Sequence, residues 1–185
     1  NQNCIYKRYK LYGDVTNGNI KKKFVQSGFL EINNLQNLQD TKFKKFEPNI
    51  ITLSGEREIL RPIIIKENQE LYIESNTTLK FDKDAFIFVD GGKLYCLGNK
   101  DNFTLLTSNK NKYWRGIFVR NSDNASFKNC LIKNTNEFRS YSFPFLSLTG
   151  GVNFYNSKIN INNLKIENSF AEDGINFINS NVLGD

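Results

Sequence analysis

One seven-residue phrase of alternating apolar and variable positions occurs three times along the chain. It reads GIFVRNS at 116–122, GVNFYNS at 151–157 and GINFINS at 174–180. In each copy a glycine comes first, two apolar residues follow with one variable residue between them, and Asn-Ser closes the phrase. Such alternation is typical of a strand with one buried face. The phrase therefore predicts equivalent strands of one sheet.

The spacing of the phrase predicts a register. The last two copies begin 23 residues apart, and the first two begin 35 apart, which is one such step with 12 additional residues. Steps of 23 backwards from Ile117 reach Leu94 and Leu71. The predicted inward positions form two columns, which are Leu71, Leu94, Ile117, Val152 and Ile175, and then Ile73, Cys96, Val119, Phe154 and Phe177. Both columns are apolar at every step.

Shorter alternating runs fill the rest of each period, so that about three strands occur per 23 residues. A repeat of 20–50 residues indicates stacked units, and parallel crossovers are right-handed. The sequence thus predicts an all-β fold, a right-handed parallel β-helix (solenoid) of about five coils. A flat β-sandwich would not keep this register. The Asn and Ser residues after each strand favour turns, and stacked Asn side chains can form a hydrogen-bonded ladder.

Two regions lie outside the regular repeat. Residues 1–47 lack the period, and the apolar spacing of Phe29, Ile32, Leu35 and Leu38 suits an amphipathic helix. We expect this segment to be the N-terminal cap of a β-helix that spans 48–185. The 12 additional residues fall between Asn134 and Leu148 and predict a loop or flap. The repeat is still running at Asp185, so we expect a truncated last coil and end-to-end self-association through it.

Composition and charge exclude several kinds of functional site. The net charge is +6, and basic residues cluster early in the chain, which fits a solvated tail better than a nucleic-acid site because no nucleic-acid motif accompanies them. No apolar run is long enough for a membrane span. The chain has no His, which excludes a Ser-His-Asp triad and His-ligated zinc within it. Cys96 and Cys130 are predicted to be buried free thiols. No metal and no cofactor is expected.

Several stretches carry a family resemblance: TLKFDKDAFIFVDGGKLYCLGN, FTLLTS, YWRGIFV, LTGGVNFYNS and SFAEDGINFINS. Together they resemble right-handed β-helix proteins found beside bacterial CotH-type spore-coat kinases and in other envelope proteins. The resemblance covers roughly residues 70–180, and its more specific part is LTGG to AEDGIN. It implies a secreted or cell-surface bacterial β-helix. It implies no catalytic residues.

Column arithmetic predicts one candidate ligand site at a corner. Trp114, Arg115, Glu172 and Asp173 should meet there, and the insertion with Arg139 and Tyr141 should emerge nearby. An aromatic plate, cations and two acids beside a flap could bind a polysaccharide or acidic glycan. A solvated corner with a surface ion pair is the plainer interpretation.

A second candidate is an outer aromatic face. Tyr72, Tyr95 and Phe118 occupy outward positions between the two predicted columns. Stacked aromatic residues on an outward face could contact sugar rings. The plainer interpretation is that the N-terminal segment or the insertion covers them.

Three functions remain open. The first is a non-catalytic extracytoplasmic β-helix that acts as a structural scaffold or glycan-contacting module. The second is a lyase-, hydrolase- or epimerase-like β-helix enzyme, or a fragment of one, although the fold alone is weak support for catalysis. The third is a surface protein that assembles end to end.

Overall fold

The computed structural model describes residues 49–110, 112–139 and 147–184, in which every regular element is a β-strand. The strands are β1 Asn49–Leu53, β2 Glu56–Ile59, β3 Ile63–Lys66, β4 Gln69–Ile73, β5 Thr78–Phe81, β6 Ile87–Asp90, β7 Lys93–Leu97, β8 Thr104–Ser108, β9 Ile117–Arg120, β10 Ala125–Lys133, β11 Phe138–Arg139, β12 Ser147–Leu148, β13 Gly150–Tyr155, β14 Lys158–Glu167, β15 Asp173–Ile178 and β16 Asn181–Gly184. The all-β prediction is confirmed for these ranges. The predicted cap at 1–47 lies outside the described residues.

The strands form three groups in which neighbours are parallel. The first group is β1, β4, β7, the first half of β10, the first half of β14, and β16. The second is β2, β5, β8 and the second halves of β10 and β14. The third is β3, β6, β9, β13 and β15. Chain order visits the groups in turn, and within the described ranges only β11 and β12 pair as antiparallel strands.

The third group confirms the register of the repeated phrase. Val152 pairs with Ile117 on one side and with Ile175 on the other. Phe154 likewise lies between Val119 and Phe177. Ile117, Val119, Val152 and Phe154 are fully buried in one apolar core, and Ile175 packs against it, whereas Phe177 is 41% exposed.

The predicted columns are wrong where they join Leu94 to Ile117, although their upstream step from Leu71 to Leu94 is confirmed. Leu71 pairs with Leu94, and Leu94 pairs with Ala125, so both belong to the first group. The upstream neighbour of Ile117 is Ile87. The 23-residue step from Leu94 to Ile117 therefore crosses from one group to another. The lengths of the connecting segments 98–103 and 109–116 determine how far Ile117 follows Leu94 along the chain. Strand alternation by itself does not indicate which group a strand joins.

The core lies between the three groups and is filled by apolar side chains from all of them. Trp114 is its largest fully buried residue, and its ring stacks on that of Phe81 with centroids 4.0 Å apart. Burying one such side chain contributes roughly 1.5–3 kcal/mol. The inward side chains of every strand group are thus buried in the core and cannot contact a ligand. Functional side chains must therefore lie at the corners or on the outer faces.

Asparagine shapes the corners. Every non-glycine residue with positive φ in the described ranges is an asparagine: Asn68, Asn76, Asn121, Asn129, Asn134, Asn156, Asn163, Asn168 and Asn179. Asn tolerates the left-handed region better than other side chains do. The amide of Asn156 donates to Oδ1 of Asn121 at 2.9 Å, and that of Asn179 donates to Oδ1 of Asn156 at 3.4 Å. The predicted Asn ladder is confirmed for these three residues.

The two central cysteines are joined in a disulfide, Cys96 to Cys130, so the prediction of free thiols is wrong. Cys96 lies on β7 in the first group. Cys130 lies on the half of β10 that belongs to the second group. Both side chains point into the core, where their Cα atoms are 6.5 Å apart. The pairing of β10 with both β7 and β8 brings the two residues together.

Candidate functional site

Trp114 does not take the role that the sequence suggested. It is fully buried, and its indole Nε1 donates a hydrogen bond to the carbonyl oxygen of Lys133 at 2.8 Å. With its ring stacked on Phe81, it offers no face to a ligand. The expectation of an exposed aromatic plate at Trp114 is therefore wrong, because this residue points inward from the corner.

The aromatic surface at this corner is formed instead by Tyr113 and Phe170. Their ring centroids lie 6.3 Å apart at an interplanar angle of 51°. Phe170 is 44% exposed, and the Lys112 ammonium lies 4.5 Å from its ring centroid. Neither ring was predicted from the sequence. An inward Trp114 would suggest an outward Tyr113, but only where strand alternation holds, and these residues precede β9.

Arg115 lies beside Tyr113 of this aromatic pair. Its guanidinium carbon is 5.6 Å from the Tyr113 ring centroid, and its Nη2 is 3.5 Å from Oδ1 of Asp84. The Arg115 side chain is only 15% exposed. We name Lys112, Tyr113, Arg115 and Phe170 the corner surface. It combines ring faces with two cations, and one of these cations has an acidic partner.

Backbone pairing holds the corner surface in place. The Trp114 amide donates to the Asn134 carbonyl at 3.0 Å, and the Phe170 amide donates to the Thr135 carbonyl at 2.7 Å. Three consecutive corner segments therefore lie side by side. Gly116 permits a further close approach, between the backbone at 116 and the backbone at 151. Its φ is +72°, and a Cβ there would come within 1.9 Å of the Gly151 carbonyl oxygen. Position 116 therefore requires glycine.

A polar network lies at the beginning of β15. The Thr149 hydroxyl donates to Oδ2 of Asp173 at 3.2 Å and accepts from the Asn176 amide at 3.1 Å. We name these three residues the polar patch. Asp173 follows Phe170 by three residues, so their Cα atoms are at most about 11 Å apart. The backbone of the polar patch at Asp173 is thus near that of the corner surface at Phe170.

The structure describes only some of the other residues predicted at the corner. Asp173 pairs with Gly150, as the column arithmetic required. Glu172 is exposed beside it. The backbone of Arg139 pairs with Ser147 in the β11–β12 hairpin. The side chain of Arg139 and the whole of Tyr141 lie outside the described residues.

The predicted outer aromatic face divides between two strand groups. Tyr72 and Tyr95 stack in the first group with centroids 4.4 Å apart. Phe118 is in the third group and stacks on Phe88 at 5.2 Å. A single column of Tyr72, Tyr95 and Phe118 is therefore wrong. The cause is the same error in the predicted columns, which joined Leu94 of the first group to Ile117 of the third.

The two aromatic pairs are engaged within the protein. Phe88 and Phe118 are buried with Phe86, and Leu148 at the end of the insertion packs against them. For Phe118, the interpretation that the chain covers it is confirmed. Tyr72 and Tyr95 present ring faces to each other, at an interplanar angle of 17°. Neither pair has the open geometry of Phe170.

Hydrogen bonds further fix Tyr72. Its hydroxyl donates to Oε2 of Glu70 at 2.9 Å, and the Lys93 ammonium donates to Oε1 of the same carboxylate at 2.9 Å. Burial, followed by the hydrogen bond to Glu70, raises the pKa of Tyr72 to about 12. The hydrogen bond from Lys93 lowers the pKa of Glu70. This cluster is a structural support for the first group.

Comparisons with protein-family models, curated proteins and solved structures found no match to this chain. In the part of the chain that the structure describes, no three His, Cys, Asp or Glu residues are grouped so that they could hold a metal ion. Within the same ranges, no helix has the length and apolar character required to cross a bilayer. The corner surface and the polar patch are therefore the features from which a function can be inferred.

Proposed function

We propose that this protein is a non-catalytic extracytoplasmic β-helix that serves as a scaffold and contacts a glycan at its corner surface. The cyclic order of the three strand groups supports a solenoid path, in which each circuit adds one strand to each group. The general preference for right-handed parallel crossovers supports the right-handed form. The resemblance to envelope β-helix proteins agrees with both.

The observation that carries the glycan contact is the Tyr113–Phe170 pair, in which Phe170 is 44% exposed and Asp173 of the polar patch follows it by three residues. Ligand sites combine apolar and aromatic surface with a few placed polar groups. A sugar ring offers both an apolar face of C–H groups and a rim of hydroxyls. Phe170 supplies the first kind of contact, and the carboxylate of Asp173 and the amide of Asn176 supply the second.

The extracytoplasmic location is supported by the Cys96–Cys130 disulfide. Such bonds persist in secreted and cell-surface proteins and are rare in reducing compartments. The same location would bring the protein into contact with polysaccharides. The bacterial envelope assignment comes from the resemblance alone and is part of the proposal.

Binding to a glycan array tests the proposal, followed by titration of the strongest binder. We expect Phe170→Ala and Tyr113→Ala to weaken binding about tenfold each, which corresponds to about 1.4 kcal/mol. Leu60→Ala is the matched control, because Leu60 is 63% exposed and lies outside the corner surface. An array on which the parent protein binds no glycan would remove the proposal. Equal losses in all three variants would also contradict it.

End-to-end self-assembly is a second candidate function, favoured by a separate observation. The large apolar side chains of β15 and β16 are notably exposed, namely Phe177, Ile178, Val182 and Leu183. Among the described strands, β15 pairs only with β13, and β16 pairs only with β14. Unpaired strand edges with apolar side chains favour association. Light scattering at rising concentration should show growth that Val182→Asp reduces, and a strictly monomeric protein would contradict this candidate.

A further inference from the structure

We infer that the corner surface and the polar patch select a neutral glycan over an acidic one. This inference rests on the proposed glycan contact and adds to it the class of ligand. Two features support it: the charges around the rings and the hydrogen-bonding capacity of the polar patch.

The charges around the rings do not favour a polyanion. Arg115 is largely covered and has Asp84 at 3.5 Å. Lys112 is the exposed cation, and it lies over Phe170. Two exposed acidic residues, Glu172 and Asp173, follow Phe170 within three positions along the chain. Like charges brought together at an interface oppose binding, so a uronate or sulfate group near Asp173 is disfavoured.

The polar patch has more free acceptors than donors. The Thr149 hydroxyl already donates to Asp173 and accepts from Asn176. Among the described residues, this leaves Oδ1 of Asp173, Oδ1 of Asn176 and one N–H of Asn176. Sugar hydroxyls can donate to these oxygens, whereas a carboxylate or sulfate group can only accept. The hydrogen-bonding inventory thus agrees with the charges.

The positive charge of the protein lies elsewhere in the sequence. Residues 1–45 contain nine Lys and Arg against three Asp and Glu, while residues 46–185 contain sixteen of each. The net charge of +6 therefore belongs to the first 45 residues. Any attraction to a polyanion through that segment must be separated from binding at the corner. Such attraction weakens with salt, whereas stacking and neutral hydrogen bonds do so much less.

The experiment compares matched polymers on the full chain by biolayer interferometry: dextran with dextran sulfate, and galactan with polygalacturonate, together with mannan and chitin oligosaccharides. Measurements at about 0.1 M and about 1 M NaCl change the Debye length from about 10 Å to about 3 Å. We expect a neutral polymer to bind at both salt concentrations, and Phe170→Ala to weaken it about tenfold. The charge-removing pair Glu172→Gln with Asp173→Asn should increase binding of the acidic counterpart at the corner.

Replacement of Lys21, Lys22 and Lys23 by Gln is the control for charge outside the corner. It should reduce salt-sensitive binding to dextran sulfate and leave neutral binding unchanged. Circular dichroism and the melting temperature establish that each variant is folded. Binding of an acidic polymer that Phe170→Ala abolishes, without binding of its neutral counterpart, would overturn the inference but keep the glycan proposal. If no polymer binds in a way that depends on Phe170, both fail.

Discussion

Arg120 holds Asp90 through two parallel hydrogen bonds, from Nε to Oδ1 and from Nη2 to Oδ2, each 2.7 Å long. The two residues are direct partners on β9 and β6. The guanidinium also lies 5.2 Å from the centroid of the Phe88 ring. This pair therefore closes one side of the buried Phe88–Phe118 stack with a bidentate contact.

The first prediction concerns this pair. Arg120→Lys keeps the charge but cannot form the two-pronged contact, so the free energy of unfolding should fall by about 1 kcal/mol. Each side chain is about a third exposed, at 33% and 35%, which limits the effect. A double-mutant cycle with Asp90→Ala, followed by urea unfolding, measures the coupling. The single-contact pair Lys133–Glu167 is the comparison and should couple more weakly. Equal coupling in the two pairs would count against a special role for Arg120.

The second prediction uses two buried threonines. The Thr77 hydroxyl is fully buried and has no hydrogen-bond partner among the described residues, whereas the Thr104 hydroxyl donates to the Glu74 carbonyl at 2.9 Å. Thr77→Val should therefore keep or raise stability by about 1 kcal/mol, and Thr104→Val should lower it by about the same amount. Thermal and urea unfolding of both variants would check this. Two losses of similar size would show that Thr77 has a partner in solution.

A third prediction tests burial in the third strand group. Val152 is fully buried between Ile117 and Ile175, so Val152→Asp should cost about 4 kcal/mol or more. Ile178→Asp is the control, because Ile178 is 43% exposed and points outward in the same group. Its effect should stay within about 0.5 kcal/mol. An unchanged melting temperature for Val152→Asp would refute the register.

The disulfide leads to a fourth prediction. Cys96 and Cys130 are separated by 34 residues, and closing such a loop stabilises the folded state by about 4 kcal/mol in the chain-entropy account. Reducing agent should lower the melting temperature of the parent protein. The Cys96→Ala, Cys130→Ala double variant should start lower and show no response to the reductant. A parent protein that melts identically with and without reductant would contradict the bond.

The fifth prediction is a pH dependence at alkaline pH. The folded-state pKa of Tyr72 is about 12, raised from an ordinary value of 10.0 first by burial and then by the hydrogen bond to Glu70. A raised pKa means that the contribution of Tyr72 is complete below pH 10.0 and is lost as the pH rises through about 12. The stability difference between parent and Tyr72→Phe should therefore shrink over this window. A constant difference from pH 8 to pH 12 in urea unfolding would exclude this linkage.

The sequence predicted strand pairing correctly where the paired strands share the repeated seven-residue phrase. Ile117, Val152 and Ile175 share the phrase that ends in Asn-Ser, and they stack as expected. Leu94 and Ile117 share only a spacing, and they belong to different groups. A period-two pattern fixes which face a residue takes within its strand. It contains no information on which neighbouring strand that residue will meet.

The sequence predicted the residues of the candidate site only in part. Asp173 pairs with Gly150 as expected, but Trp114 is in the core, and Arg115 lies against its neighbour Tyr113, a ring that was not predicted. An aromatic residue beside a corner can face either way, because the alternation of the strand is interrupted there. Phe170 could be found only once the pairing of its amide with Thr135 had placed it beside Tyr113.

The asparagine ladder has a consequence for the chemical ageing of this protein. Asn156 donates to Asn121 and accepts from Asn179, and each of the three precedes a serine. Deamidation of Asn156 to aspartate would remove the amide that serves Asn121 and set a carboxylate against its carbonyl oxygen. The left-handed backbone at this position would also lose its best-suited non-glycine side chain. Hydrolysis of one side-chain amide would thus loosen three stacked corners at once, and old preparations should lose stability first along this edge.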